Sequence, residues 1–323
     1  VSLAPYIHAM GRGPGRARNL TRDEARDAMR AILAGEAAPE AVGALLMLMR
    51  YRGERPEEIA GFVEAMRDTL PEWQGPRPAL DWPSYAAGRS RGLPWFLMAA
   101  RLVAQAGHPV LIHGWNSHQG AAASVRDALP RLGIAEAGDI AGAARLLVRD
   151  GIAYLPLDAF APGALRLLQL RAVLGLRSPV NTVLRVLNPG GASASVQGVF
   201  HPPYRELQAD AAALLGQPAM TVLKGGGGEF ERHPGKEIAL YGLRGGAPWQ
   251  ESRPALCDET RRLASETPDP EELTRLWSGE GEDPFARDIV LGTAALALET
   301  LGVTDAAAVA EALWHKRDAL VSI

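Results

Sequence analysis

The sequence predicts an α/β protein with a separate helical domain, and three observations carry that expectation. Residues 20–70 repeat apolar side chains at helical spacing, residues 71–83 are crowded with proline, and beyond them short apolar runs alternate with helical stretches. Such alternation implies a mostly parallel sheet flanked by helices, with ligands at the carboxyl ends of its strands. At 323 residues and 47% hydrophobic, the chain can bury a sizeable core as one large domain or two intimate ones.

Taken in order, Asn19 or Thr21 can cap a helix whose first turn holds Asp23 and Glu24, where the helix dipole favours carboxylates. Ala25, Met29, Ile32 and Leu33 form its apolar stripe, and Gly35 ends it. A second helix begins near Pro39 and carries Val42, Leu45, Leu46 and Met49 on one face. Arg55-Pro56-Glu57-Glu58 opens a third, which runs through Ala65 and Met66. Pro71 to Pro83 has four prolines and a glycine in thirteen residues, a composition that marks a crossing between modules. After it, His108–Gly114, Gly151–Leu155 and Ala219–Lys224 read as strands, separated by helical stretches at 96–106, 121–132 and 205–216. The loops after residues 112 and 223 are then site candidates by position alone.

The net charge of −3 conceals an asymmetry: residues 1–205 carry 23 basic and 17 acidic groups, and residues 206–323 carry 11 and 20. No Asp or Glu occurs from Trp82 to Arg126, where Arg89, Arg91, Arg101 and Arg126 lie. None occurs from Ala159 to Arg205, which holds Arg166, Arg171, Arg177, Arg185 and Arg205. Two unopposed basic segments make a field that attracts polyanions if folding brings them together. The single cysteine, Cys257, excludes an intramolecular disulfide and a multi-cysteine metal cluster. No apolar run of 18 or more residues and no secretory leader pattern is present, so the expectation is a cytoplasmic protein with no membrane partner.

The chemistry-bearing motifs point to phosphate. In the loop Pro83–Gly92, Gly88 is followed by Arg89, Ser90 and Arg91, in a place suited to a backbone phosphate cradle but with much of the glycine replaced. Two arginines there can bind phosphate oxygens bidentately, while their bulk takes up substrate volume. Gly225 to Gly228 reads as a second phosphate nest after a strand, with Lys224 as the adjacent point charge. His113, His118 and His201 lack metal-ligand spacing, and no Ser-His-Asp set, zinc motif or complete P-loop is present.

Longer stretches then carry a resemblance. Leu20–Ala25, Ile32–Ala37, Leu48–Glu54 and Glu58–Arg67, followed by Ile112-His113-Gly114, Leu174–Asn181 and Leu187-Asn188-Pro189, are similar to anthranilate phosphoribosyltransferases over most of the chain. The resemblance implies a helical domain at 1–72 completed by a returning segment near 160–190, and a glycosyltransferase-like α/β domain at 80–323 with a mixed, mostly parallel sheet flanked by helices. It also implies a homodimer joined through the helical domains. Gly11–Leu20, Pro83-Ser84-Tyr85, His201-Pro202-Pro203-Tyr204 and Lys224–Glu229 resemble more closely the YbiB-like branch of that family. That branch implies binding of single-stranded or structured nucleic acid with little sequence preference, without anthranilate chemistry and with no cofactor required.

The departures from the enzyme pattern agree with that implication. Biosynthetic members hold diphosphate with Gly-Thr-Gly-Gly-Asp, and the aligned stretch here is about Ala87-Gly88-Arg89-Ser90-Arg91. The magnesium-handling Asp-Glu pair becomes Phe230-Glu231, leaving Glu231 as a weakened magnesium ligand if phosphoribosyl pyrophosphate binds, with Glu229 nearby. The Lys-His-Gly-Asn run becomes Ile112-His113-Gly114-Trp115 with Asn116 displaced by one, and Arg171 matches an arginine that contacts the anthranilate carboxylate. Two readings stand: a nucleic-acid binder using Arg12, Arg16 and Arg18 of an N-terminal arm together with Arg89, Arg91 and Lys224, or an active phosphoribosyltransferase with an unknown acceptor. A metabolite sensor is a third.

Overall fold

The computed structural model describes residues 1–13, 15–85, 92–115, 124–263 and 268–317. The chain opens with four helices, α1 (Ala4–Gly11), α2 (Arg22–Leu33), α3 (Pro39–Arg52) and α4 (Pro56–Arg67). Thr21 caps α2 in a reciprocal box: its hydroxyl accepts from the Glu24 amide at 3.2 Å, and the Glu24 carboxylate accepts from the Thr21 amide at 2.9 Å. Asn19 has another task, donating to Gly53 O and to Glu58 Oε2. Helix α4 lies so close on α2 that a Cβ at Gly61 would stand 2.2 Å from Arg22 O.

The second part begins with β1 (Leu80–Ser84), α5 (Phe96–Gln105) and β2 (Val110–Gly114), followed by α6 (Val125–Ala128), α7 (Ile140–Asp150) and β3 (Ile152–Pro156). The helix expected at 121–132 is cut short where it is described: α6 ends at Ala128 and a 3-10 turn follows at Pro130–Leu132. Proline has no amide hydrogen and its ring clashes with the carbonyl four residues back, so Pro130 cannot continue the helix. Four short helices come next, α8 (Leu157–Phe160), α9 (Pro162–Gln169), α10 (Arg171–Leu174) and α11 (Val180–Val186). Then follow β4 (Ala194–Val199), α12 (Tyr204–Leu214), β5 (Ala219–Lys224), the hairpin β6 (Ile238–Arg244) and β7 (Ala247–Arg253), and helices α13 (Glu271–Ser278), α14 (Pro284–Thr300) and α15 (Ala306–His315). Among the described residues no helix is long and apolar enough to cross a membrane.

The seven strands form one mixed sheet in the order β3-β2-β1-β4-β5-β6-β7, with β1 to β5 parallel and the last two antiparallel. Trp82, Phe96 and Phe230 pack on one face in the core built by α5, α13, α14 and α15. The other face shares a core with α2, α3, α4, α9 and α11. Burial of each large side chain in such a core is worth roughly 2–3 kcal/mol. Strand order reverses between β1 and β4, and these two pair only at Leu80↔Ala194 and Asp81↔Ser195, whereas β1 and β2 pair over five positions. The strands therefore part just before their carboxyl ends, which is where open α/β sheets hold ligands.

The two rims of the sheet are guarded differently. Residues 135–137 cover β3, with the Tyr154 amide donating to Ala135 O at 3.0 Å and the Ala137 amide to Tyr154 O at 2.7 Å. Strand β7 is solvent-facing and carries Pro248, Glu251 and Arg253.

Candidate anion-binding cleft

The crevice between β1 and β4 is occupied by the chain itself. The segment after β5 folds back into it: the Ser84 hydroxyl donates to Glu229 Oε1 at 3.0 Å, and the Phe96 amide at the head of α5 donates to Glu231 Oε2 at 3.1 Å. Both carboxylates are fully buried. The glycine run makes this possible sterically, since a Cβ at Gly225 would lie 1.6 Å from Glu229 O. Its amides turn inward as well: Gly225 N–H donates to Val199 O, Gly228 N–H to Gly225 O and Glu229 N–H to Gly226 O. Lys224, at the end of β5, is exposed beside this turn.

Gly88, Arg89, Ser90, Arg91 and Asn116 lie outside the described residues, so the altered cradle enters only through its first flank. Tyr85 is buried there, with its hydroxyl 2.8 Å from His113 Nδ1. His113 Nε2 approaches Asp81 Oδ1 at 3.1 Å without a linear hydrogen bond, and Asp81 Oδ2 accepts from Ser195 at 2.9 Å. Burial first, and the nearby Tyr154 and Asp81 next, push the Tyr85 phenol well above its ordinary range. His113 is fully buried within this chain of polar groups, so it supports the crevice from behind. Glu229 and Glu231 do not suit magnesium as placed: that ion keeps several waters, and both carboxylates are buried and already accept hydrogen bonds. No group of three or more metal-binding side chains occurs among the described residues.

The N-terminal arginines separate into two kinds. Arg18 is bound to Glu24 through both guanidinium nitrogens at 2.6 Å, which pulls the Glu24 carboxyl down to about 2. Arg12 and Arg16 are exposed, and Arg12 Nε donates to Arg16 O at 2.9 Å. The segment is folded where described: Ala17 N–H donates to Gly13 O and Arg18 N–H to Ala9 O.

Among the described residues the basic segments do not converge as a whole. Arg126 pairs with Glu136 and Asp158, and Arg101 lies over the Trp277 ring in the opposite core. Three arginines of the second segment do meet. Arg171, Arg177 and Arg185 line a cleft of about 290 Å³ with Arg50 from α3, Asn181 and Thr182 from α11, and Phe200, His201 and Tyr204 after β4. Among the described residues no carboxylate lines it. Arg50 donates to the Tyr204 hydroxyl, which donates to Glu54 Oε2 at 3.1 Å. Burial and the neighbouring Glu54 raise the Tyr204 phenol to about 12. Arg177 lies 5.6 Å from the Phe200 ring centroid, and burial together with the positive charges of Arg171 and Arg50 lowers its proton affinity.

Arg185 is the buried member, 6% exposed. It donates to Asn181 O at 3.2 Å and to Tyr85 O at 2.8 Å, so its guanidinium ties the cleft to the start of the cradle loop. Desolvation brings its pKa down to about 10, with the charge of Glu229 opposing this and that of Arg177 adding to it. Sequence reasoning picked out Arg171 but assigned no role to Arg50, Arg177 or Arg185. The acid-free run from 159 to 205 was the available signal, and only folding reveals which of its arginines share a wall. A larger groove of about 680 Å³ near Trp95 and Phe285 is lined by Arg261, Arg262 and Arg275 together with Glu259, Glu272, Glu282 and Asp283, so its charge is mixed.

Residues 4–70 match the helical bundle domain of a glycosyl transferase family. An anthranilate phosphoribosyltransferase from Thermomicrobium roseum is 32% identical over 310 residues, 93% of this chain and 88% of that one. The chain belongs to the anthranilate phosphoribosyltransferase family. A second family member, from Xanthobacter autotrophicus, is 32% identical over 224 residues, 69% of this chain and 65% of its own length. The crystal structure of anthranilate phosphoribosyltransferase (TrpD) from Thermus thermophilus matches with a TM-score of 0.76 at 27% identity, covering 98% of this chain and 94% of that one. The Saccharomyces cerevisiae anthranilate phosphoribosyltransferase in complex with PRPP and Mg has the same fold, with a TM-score of 0.76 at 18% identity over 97% of this chain and 93% of that one.

Proposed function

We propose that this member of the anthranilate phosphoribosyltransferase family is a YbiB-like homodimer that binds nucleic acid with little sequence specificity and does not transfer phosphoribose to anthranilate. The observation that carries the reading is the cleft lined by Arg50, Arg171, Arg177 and Arg185, without a carboxylate among the described residues. Such a surface attracts phosphate wherever a strand presents it, because each neutralised phosphate releases counterions. Glu229 and Glu231, which a transferase would need near magnesium, are committed instead to Ser84 and to the amide of Phe96. The dimer is supported by two apolar side chains on the helical side, Tyr51 and Val173, which leave 90% and 82% of their surface in water. Family membership favours the alternative, a phosphoribosyltransferase with an unidentified acceptor and with magnesium as cofactor.

Fluorescence anisotropy of a labelled single-stranded oligonucleotide, titrated at several salt concentrations with phosphoribosyl pyrophosphate and magnesium as competitor, decides between the two. Tight, salt-sensitive binding that the competitor leaves in place is the expected result. Absent binding, together with pyrophosphate release in the presence of aromatic amines or bases, would establish the transferase.

A further inference from the structure

We propose that the arginine cleft is a built site for one phosphomonoester dianion attached to an aromatic ring, a ligand the size of a single nucleotide. Arg185 is the first ground. A guanidinium taken out of water is retained at a cost unless a counter-charge accompanies it. Arg185 has no carboxylate within ion-pair distance among the described residues, and its Nε has no acceptor. It lines the cleft and feels Glu229 without pairing with it, so a bound anion would supply the direct counter-charge that Glu229 does not.

Arg177 is the second ground. It is half-buried, has neither ion-pair nor hydrogen-bond partner among the described residues, and lies close enough to Arg171 and Arg50 to feel both charges. Crowded guanidiniums are relieved by a multiply charged anion more than by a single carboxylate. A phosphomonoester brings about −1.5 to −2 charges at neutral pH and three acceptor oxygens. An internal phosphodiester brings only one charge.

The aromatic part follows from Phe200, which is 43% exposed at the cleft wall with His201 edge-on to it at 4.8 Å. An exposed ring beside an arginine is a stacking platform for a base. The volume of about 290 Å³ suits one nucleotide rather than a length of strand. Two sources present this chemistry: a free mononucleotide, or the phosphorylated end of a nucleic-acid strand. The strand-end form rests on the nucleic-acid reading above, and the mononucleotide form stands without it.

The test uses the full chain. Calorimetric titration with adenosine 5′-monophosphate and with adenosine is expected to show the nucleotide binding at least about tenfold more tightly, the difference that charged hydrogen bonds supply. Arg177→Ala removes a side chain that makes no hydrogen bond or ion pair among the described residues and touches the Phe200 ring, and it is expected to abolish that difference, with Arg50→Gln reducing it. In parallel, oligonucleotides of one sequence carrying a 5′-phosphate, a 3′-phosphate or only hydroxyl ends are compared by anisotropy. A preference for a phosphorylated end that vanishes in Arg177→Ala assigns the site to strand ends. Equal affinities of the three, with the mononucleotide preference intact, assign it to the free nucleotide. Adenosine binding as tightly as its monophosphate, or an Arg177→Ala protein that keeps the preference, overturns the proposal. Hydroxyl-ended oligonucleotide failing to bind at all tests the nucleic-acid reading separately.

Discussion

Glu58 shows how a single buried carboxylate ties together segments that are distant in sequence. It is fully buried in the first turn of α4, where Oε1 accepts from the Leu20 amide at 2.8 Å and Oε2 accepts from the Arg55 amide at 2.9 Å and from Asn19 Nδ2 at 3.0 Å. Removing it leaves three donors without their acceptor, so Glu58→Ala is expected to cost about 3 kcal/mol in chemical denaturation. Glu58→Gln keeps the shape but turns an NH2 group toward existing donors, and a loss of about 1.5 kcal/mol or more is expected. An unchanged midpoint in both variants would show that the carboxylate is incidental. The sequence made Glu58 legible as a first-turn acid, because that preference is local. Its bond to Leu20, 38 residues away, has no local signal. Arg177 and Arg185 were hidden for the same reason, since their role depends on Arg50 arriving from α3.

Among the elements, α2 offers the clearest pH signature. Its cap depends on Glu24, whose carboxyl is held near 2 by Arg18 first and by the Thr21 amide as well. A carboxylate with a depressed folded pKa contributes its stability above the unfolded value, and the contribution is lost as pH falls through the folded value. Denaturation midpoints measured from pH 6 downward should therefore decline between about 4.5 and about 2, and Arg18→Ala should flatten that decline. Thr21→Ala is expected to cost about 1 kcal/mol at neutral pH. Where α2 meets α4, Gly61→Ala would drive a methyl into Arg22 O, and overpacking of this kind costs about 1–3 kcal/mol or more.

The helices from 20 to 70 were legible because caps, prolines and apolar spacing are all short-range. Strand β1 was not, since Trp82-Pro83 reads as a breaker inside a proline-rich crossing. The fold tolerates Pro83 for a definite reason. Ser84 O accepts from Trp115 N–H on the β2 side, so the alternate residue, Pro83, faces β4, and pairing with β4 has already ended at Ser195. The β6–β7 hairpin had a usable signal in Gly245-Gly246, both with positive φ, flanked by strand-forming residues.

At the scale of the whole molecule, described arginines gather at one cleft and at the exposed pair Arg12 and Arg16, while others, such as Arg18, Arg22, Arg126 and Arg275, are paired with carboxylates. Changing Arg12 and Arg16 together to Ala should weaken single-strand binding and lower its salt slope by about 1.4, or about 0.7 for each lost phosphate contact. Arg18→Ala should leave that slope nearly unchanged, because its guanidinium is already held by Glu24. Equal effects of the two changes in a salt titration would show that the whole arm contacts phosphate. The α/β architecture followed from the alternation of strands and helices, whereas the way Glu229 and Glu231 fill the crevice required two strands to part by a few residues.

The guarded rims of the sheet bear on how this chain behaves when it is crowded. Strand-by-strand growth into fibrils requires an open ladder of amides and carbonyls, and here one margin is spent on residues 135–137 while the other presents a proline and charged side chains. Unfolding at high concentration should thus proceed without templated aggregation from the native state.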